Sequence, residues 1–188
     1  MTCKNFGLLI IFCLAIALVG CGGGGGSSNP AGASTDPAVD TTLSTDYPLV
    51  SSAYTSMQTS LEEDATKTTT QRVDSFMLNI ASDFVNYAGA PASESMRTTT
   101  LSRLDRYTIN SYKFIPTAHE VVDANTVKVT TYMSIDLVRK PGAEGAIAMG
   151  TVVTNTPYPV ITWKNYSGTW RIYRGLPYLS SENSNVSF

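Results

Sequence analysis

The sequence predicts an α+β protein in which N-terminal helices pack on a curved antiparallel β-sheet. Two patterns carry this prediction. Between Val50 and Tyr87, apolar residues recur every three or four positions, the period of one helix face. From Thr126 to Val138 the period drops to two. Val127, Val129, Thr131, Met133, Ile135 and Leu137 point one way; Lys128, Thr130, Tyr132, Ser134 and Asp136 point the other. Helices followed by strands, rather than alternating with them, is the α+β order.

The first helix carries Val50, Tyr54, Met57 and Leu61 on one face. Glu62-Glu63-Asp64 and the threonines at 66 and 68–70 interrupt it. A second stripe runs through Val73, Met77, Ile80, Phe84 and Tyr87, with Thr70 placed to cap it and Gly89 and Pro91 ending it. A third, shorter helix holds Met96, Leu101 and Leu104 among Arg97, Arg103 and Asp105. These stripes read as core faces, not as a cofactor site. A strand from Tyr107 to Val122 follows, with Pro116 marking an edge or a bulge. Asp123-Ala124-Asn125 turns it into the alternating strand. The run Pro141 to Gly145 closes the next hairpin into a strand near Ile147 to Thr154, which Thr156-Pro157-Tyr158-Pro159 breaks.

The last hairpin pairs Val160-Ile161-Thr162-Trp163-Lys164 with Thr169-Trp170-Arg171-Ile172-Tyr173. A four-residue loop, Asn165 to Gly168, sets Lys164 opposite Thr169, Trp163 opposite Trp170 and Ile161 opposite Ile172. The two tryptophans and two isoleucines then share one apolar face.

The closing stretch "ITWKNYSGTWRIYRG", together with the element order, resembles the nuclear-transport-factor-2-like (cystatin-like cone) superfamily, which includes SnoaL-type proteins. The resemblance spans about Ser51 to Pro177; a cystatin-type or other layered α+β fold is the rival reading. It implies a cone whose curved sheet wraps a helix and leaves a pocket at the wide end. Some members are isomerases or dehydratases using an Asp or His there; many are binding modules without catalysis, so fold alone does not set function.

The N-terminus gives the sharpest motif. Lys4 precedes an uncharged apolar run from Phe6 to Val19, too short for a membrane-spanning helix of about 20 residues and laid out like a secretory signal peptide. Leu18-Val19-Gly20-Cys21 resembles the lipobox of bacterial lipoproteins. The resemblance implies cleavage before Cys21 and lipid on its thiol and new amino group; an uncleaved anchor is the plainer alternative. Several acyl chains on Cys21 would hold the protein on a membrane. The expected organisation is therefore a signal peptide over 1–20, a flexible Gly/Ser/Pro/Thr-rich tether over 21–46, and one α+β domain over 47–188. In many such lipoproteins an Asp after the cysteine retains the protein at the inner membrane; with Gly22 there, the resemblance implies the periplasmic face of the outer membrane, in a cell that has one.

With Cys3 and Cys13 removed and Cys21 lipidated, the mature chain has no thiol for catalysis, a disulfide or a metal. The net charge is −2, and −3 once Lys4 is lost, which is no footprint for nucleic acid. No cofactor motif is present. Phe84, Trp163 and Trp170 are the aromatic candidates for a pocket or core. His119, Asp136 and Tyr132 are the weak acid–base candidates: His119 is the only histidine and alternates away from Glu120, while Asp136 and Tyr132 lie on the polar face of their strand. Tyr158, Tyr166 and Tyr178 read as exposed aromatics. Three readings follow: a noncatalytic interaction module, binding a protein or forming a homodimer through the sheet; a carrier of a small apolar ligand; and a small isomerase or dehydratase.

Overall fold

A computed structural model describes residues 36–143, the backbone of 151–154, and residues 158–178. The signal peptide, Cys21, the tether up to residue 35, and the parts of the expected loops and strand that fall in 144–150 and 155–157 lie outside the described residues.

Among the described residues, four helices and six strands form an α+β fold: α1 (Thr41–Asp46), α2 (Pro48–Leu61), α3 (Thr69–Met77), β1 (Ile80–Val85), α4 (Ser93–Arg106), β2 (Tyr107–Asp123), β3 (Thr126–Arg139), β4 (Thr151–Thr154), β5 (Val160–Tyr166) and β6 (Thr169–Arg174). The curved sheet runs β1-β6-β5-β3-β2, with β4 also pairing β3. Every pairing is antiparallel except β1 with β6, which is parallel. The sheet is therefore mixed, not wholly antiparallel.

The alternation in β3 places Val127, Val129, Thr131, Met133, Ile135 and Leu137 in the core, all buried. They meet Val50, Tyr54, Met57 and Leu61, the buried stripe of α2. Pro116 does both things a strand proline allows. It lies on β2, an end strand of the sheet, and a bulge separates its pairing with Thr131 from that of Ala118 with Thr130.

The second stripe splits. Helix α3 ends at Met77, and Ile80 to Val85 is strand β1, with Tyr87 exposed beyond it. Ile80 and Phe84 are four apart, a spacing that fits a helix face and a strand face equally. The sheet decides: the backbone carbonyl of Asn79 accepts from Ile172 N–H at 2.8 Å, and Ile80 and Val85 pair with Ile172 and Arg174. The cap is Thr68, not Thr70. Its hydroxyl accepts from Gln71 N–H while the Gln71 side chain accepts from Thr68 N–H, a reciprocal capping box.

The closing hairpin turns on two residues, not four. Ser167 (φ 53°) and Gly168 (φ 92°) both take left-handed backbone, as a tight β-hairpin turn requires. The register moves by two. Trp163 faces Ile172 and Trp170 faces Asn165, so the tryptophans share a face but are not opposite each other. Trp163 is fully buried and Trp170 half-buried.

The packed domain begins at Asp36, not Tyr47. Asp40 caps α1, accepting from the backbone N–H groups of Thr42 and Leu43, and buries Leu43 almost completely. The amide of Asp40 also donates to Pro116 O at 2.8 Å, and Lys113 Nζ reaches Asp36 at 2.5 Å. Residues 36–46 are thus part of the domain rather than of the tether.

Candidate functional site

Among the described residues, side chains pack the inside of the sheet. Between α2, α3, α4 and the end of the chain described here, the interior closes to a cavity of about 10 Å³, about the room of one water. Its walls are mostly apolar, with Leu61, Phe76, Met96 and Leu104 among them; Arg103 and Tyr112 are polar groups at its edge. Arg103 is buried, and its guanidinium donates to Tyr178 O at 3.1 Å. Burial pushes the Arg103 pKa down, partly offset by Tyr112, whose own phenol burial pushes up to about 12. Residues Leu176, Pro177 and Tyr178 close the opening: all three are buried, and Tyr178 packs edge-on against Phe84 with ring centroids 6.0 Å apart. Gly175 (φ 88°) makes this possible, because a Cβ there would run into the Val160 carbonyl.

The sequence candidates sit as follows. Phe84 and Trp163 are core residues, and neither lines the cavity. Tyr178 is buried rather than exposed. Asp136 is half-buried on the outer face of β3, in register with Ser111 and Val152. Tyr132, on the same face, is buried against Tyr158, ring centroids 5.3 Å apart. Four residues of strand separate Tyr132 from Asp136 by about 13 Å, so the two do not form an acid–base pair.

His119 pairs across the fold. Its Nδ1 lies 2.7 Å from Asp40 Oδ2 and its Nε2 lies 3.8 Å from Asp46 Oδ2, while Tyr47 meets the imidazole edge-on. Asp40 and His119 are about nine-tenths buried. Burial works to raise the Asp40 pKa. Hydrogen bonds from Thr42, His119 and the backbone N–H groups of Thr42 and Leu43 outweigh it and hold the carboxyl at about 2. The pair fastens α1 to β2. It was hidden in the sequence because Asp40 sits in a stretch that reads as tether. Among the described residues, no cluster of three His, Cys, Asp or Glu is placed to hold a metal ion.

A second concavity lies on the surface. It is an open groove of about 340 Å³ between α2, the α3–β1 link and the β5–β6 turn, with Trp170 on its wall. Helix α2 presents Leu49, Ser52, Ala53 and Ser56 to it, a second stripe beside its core stripe.

No family profile matches this chain, and no curated protein sequence matches it. Solved structures similar to it include three. A candidate aromatic ring hydroxylase from Novosphingobium aromaticivorans is 12% identical over 68% of this chain and 83% of that one, with a TM-score of 0.47. A protein of cystatin-like fold and unknown function from Nostoc punctiforme is 13% identical over 69% and 87%, with a TM-score of 0.43. An NTF2-like protein from Cytophaga hutchinsonii is 14% identical over 70% and 92%, with a TM-score of 0.39. The likeness is one of fold.

Proposed function

We propose that this chain is a lipid-anchored protein of the bacterial cell envelope, held through Cys21 at the periplasmic face of the outer membrane, and that its folded domain is a noncatalytic binding module working through its surface. The observation that carries the surface part is the packing of the interior among the described residues, where the cavity under α2, α3 and α4 has about 10 Å³ and holds no organic ligand. The lipobox Leu18-Val19-Gly20-Cys21 supports the anchor. A homodimer or a protein partner would use the outer sheet face, where Thr162 and Lys164 of β5 lie half-exposed.

Native mass spectrometry of the full chain purified from membranes tests both parts. The expected spectrum shows the cleaved, acylated chain with no further small molecule. A mass matching unprocessed, unacylated chain overturns the anchor. A co-purified apolar molecule overturns the surface module in favour of a carrier, the second reading. The Leu176–Tyr178 segment supports that alternative, because it covers a cavity that would grow if it lifted away. An isomerase or dehydratase would have to build its acid–base group from Arg103, Tyr112, Tyr178 and Thr100, the polar residues at that cavity among those described.

A further inference from the structure

We propose that the groove between α2 and the β5–β6 turn is a binding site for a short neutral saccharide, with one sugar ring laid on Trp170. This names a ligand for the surface module and rests on that reading. The groove's volume, about 340 Å³, falls in the range of small-molecule sites, about 300–1,000 Å³.

The lining has the two chemistries a sugar needs. The first is an aromatic surface held in a fixed orientation. Trp170 is half-buried, and the Tyr47 ring braces it edge-on at 5.4 Å and 87°. Tyr47 is in turn packed against His119, so the indole is set by the clasp that fastens α1. The second is a set of short neutral hydrogen-bonding groups. Ser52 and Ser56 stand one turn apart on α2. Asn79 and Thr169 face them from the other wall. Unlike Trp163, whose indole N–H donates to Tyr54, Trp170 has no hydrogen-bond partner for its indole N–H among the described residues.

The lining also argues against other occupants. Among the described residues it includes no charged side chain, so a phosphate or carboxylate ligand finds no counter-charge there. An apolar peptide would be met by the exposed Leu49 and Leu78, but its side chains would offer no hydrogen bonds to Ser52, Ser56 and the Asn79 side-chain carbonyl, the Asn79 amide nitrogen already donating to Ser75 O and Phe76 O. A sugar offers C–H groups to the indole and hydroxyls to the serines at once. Gly168, with open space where a Cβ would stand, leaves the turn end of the groove clear.

The two indole N–H signals make the test direct. The ¹⁵N-labelled full chain, held in a zwitterionic detergent without sugar headgroups, is titrated with chitotriose and separately with maltotriose. Trp170→Phe assigns the reporter signal, and the buried Trp163 is the internal control. The expected result is a saturable shift of the Trp170 signal with at least one sugar, complete by about 10 mM for a millimolar Kd, and no shift at Trp163. Ser52→Arg, which fills the groove from an exposed helix position, should weaken binding at least about tenfold at an unchanged melting temperature. No saturable Trp170 shift with either sugar overturns the proposal, as does an equal shift in the Ser52→Arg protein. A leucine-rich peptide that shifts Trp170 where both sugars fail also overturns it. The surface-module reading fails separately, on a co-purified ligand in the interior, which this titration does not report.

Discussion

Removing one oxygen from the core, by Tyr54→Phe, should destabilise the domain by about 1–3 kcal/mol. The Trp163 indole N–H donates to Tyr54 Oη at 3.0 Å. Tyr54 Oη lies 2.8 Å from Thr131 Oγ1, and Thr131 Oγ1 donates onward to Val129 O at 3.3 Å. An indole N–H only donates, so the run has one consistent direction: Trp163 to Tyr54 to Thr131 to the backbone. All three side chains are buried, and burial holds the Tyr54 phenol well above its usual pKa. Phenylalanine keeps the ring contacts with Trp163 (5.0 Å) and Phe114 (5.9 Å). What it removes is the acceptor, leaving the indole N–H dry and unpaired. Thr131→Val removes the hydroxyl that accepts from Tyr54 and donates to Val129 O, but leaves the indole N–H paired with Tyr54, and should cost less, about 1 kcal/mol. Trp163→Ala adds a large void and should cost about 3–5 kcal/mol, while Thr162→Ala on the outer face should stay within about 0.5 kcal/mol. Urea unfolding followed by circular dichroism gives all four values. If Tyr54→Phe unfolds within about 0.5 kcal/mol of the parent, or if Thr131→Val is the more damaging, the hydrogen-bonded run is not holding the sheet to α2 and the reasoning fails.

The other predictions concern the two ends of the chain. Leu43→Ala should cost about 2–5 kcal/mol by urea unfolding, because α1 belongs to the core; a loss near zero would return residues 41–46 to the tether. Asp40 has a folded-state pKa of about 2 against an ordinary 3.8, so its stabilising contribution is complete above pH 4 and is lost as pH falls toward 2. The melting temperature of Asp40→Asn should therefore fall less steeply than the parent's over that window, and parallel curves would rule the clasp out as the acid-sensitive element. Cys21→Ser should abolish labelling by a fatty-acid analogue in cells; unchanged label would end the lipoprotein reading.

What the sequence made legible was whatever a single period determines. β3 was plain because its inward positions are all apolar except Thr131, and that threonine is tied into the Tyr54 run. The core face of α2 was plain for the same reason. β1 was not, because Ile80 and Phe84 carry a spacing common to helix and strand, and the choice was made by the open edge of β6 about ninety residues later. α1 was not, because one leucine among threonines, serines and aspartates has no period at all. Leu43 is buried because Asp40 caps the turn and His119, on a distant strand, closes on Asp40. Long-range pairs of this kind leave no local trace, and the only histidine looked solitary for that reason.

The groove follows from the same distinction, and one turn decides it. With a four-residue loop, Trp170 would lie opposite Trp163, under α2 in the middle of the sheet, and would be core. The two-residue turn at Ser167-Gly168 slides β6 by two positions without changing which face Trp170 occupies. A two-residue slip keeps the side-chain parity but moves the indole toward the end of the strand, beside Asn165 and the turn. There Leu49, Ser52 and Ser56 of α2 stand across from it. The residue that hydropathy assigned to the core is thus half core and half wall. The four-residue reading of Asn165 to Gly168 missed this, because the left-handed backbone at Ser167 and Gly168 that makes the tight turn shows only in the structure. The shorter turn is enough to carry Trp170 from beside Trp163 onto the wall of the groove.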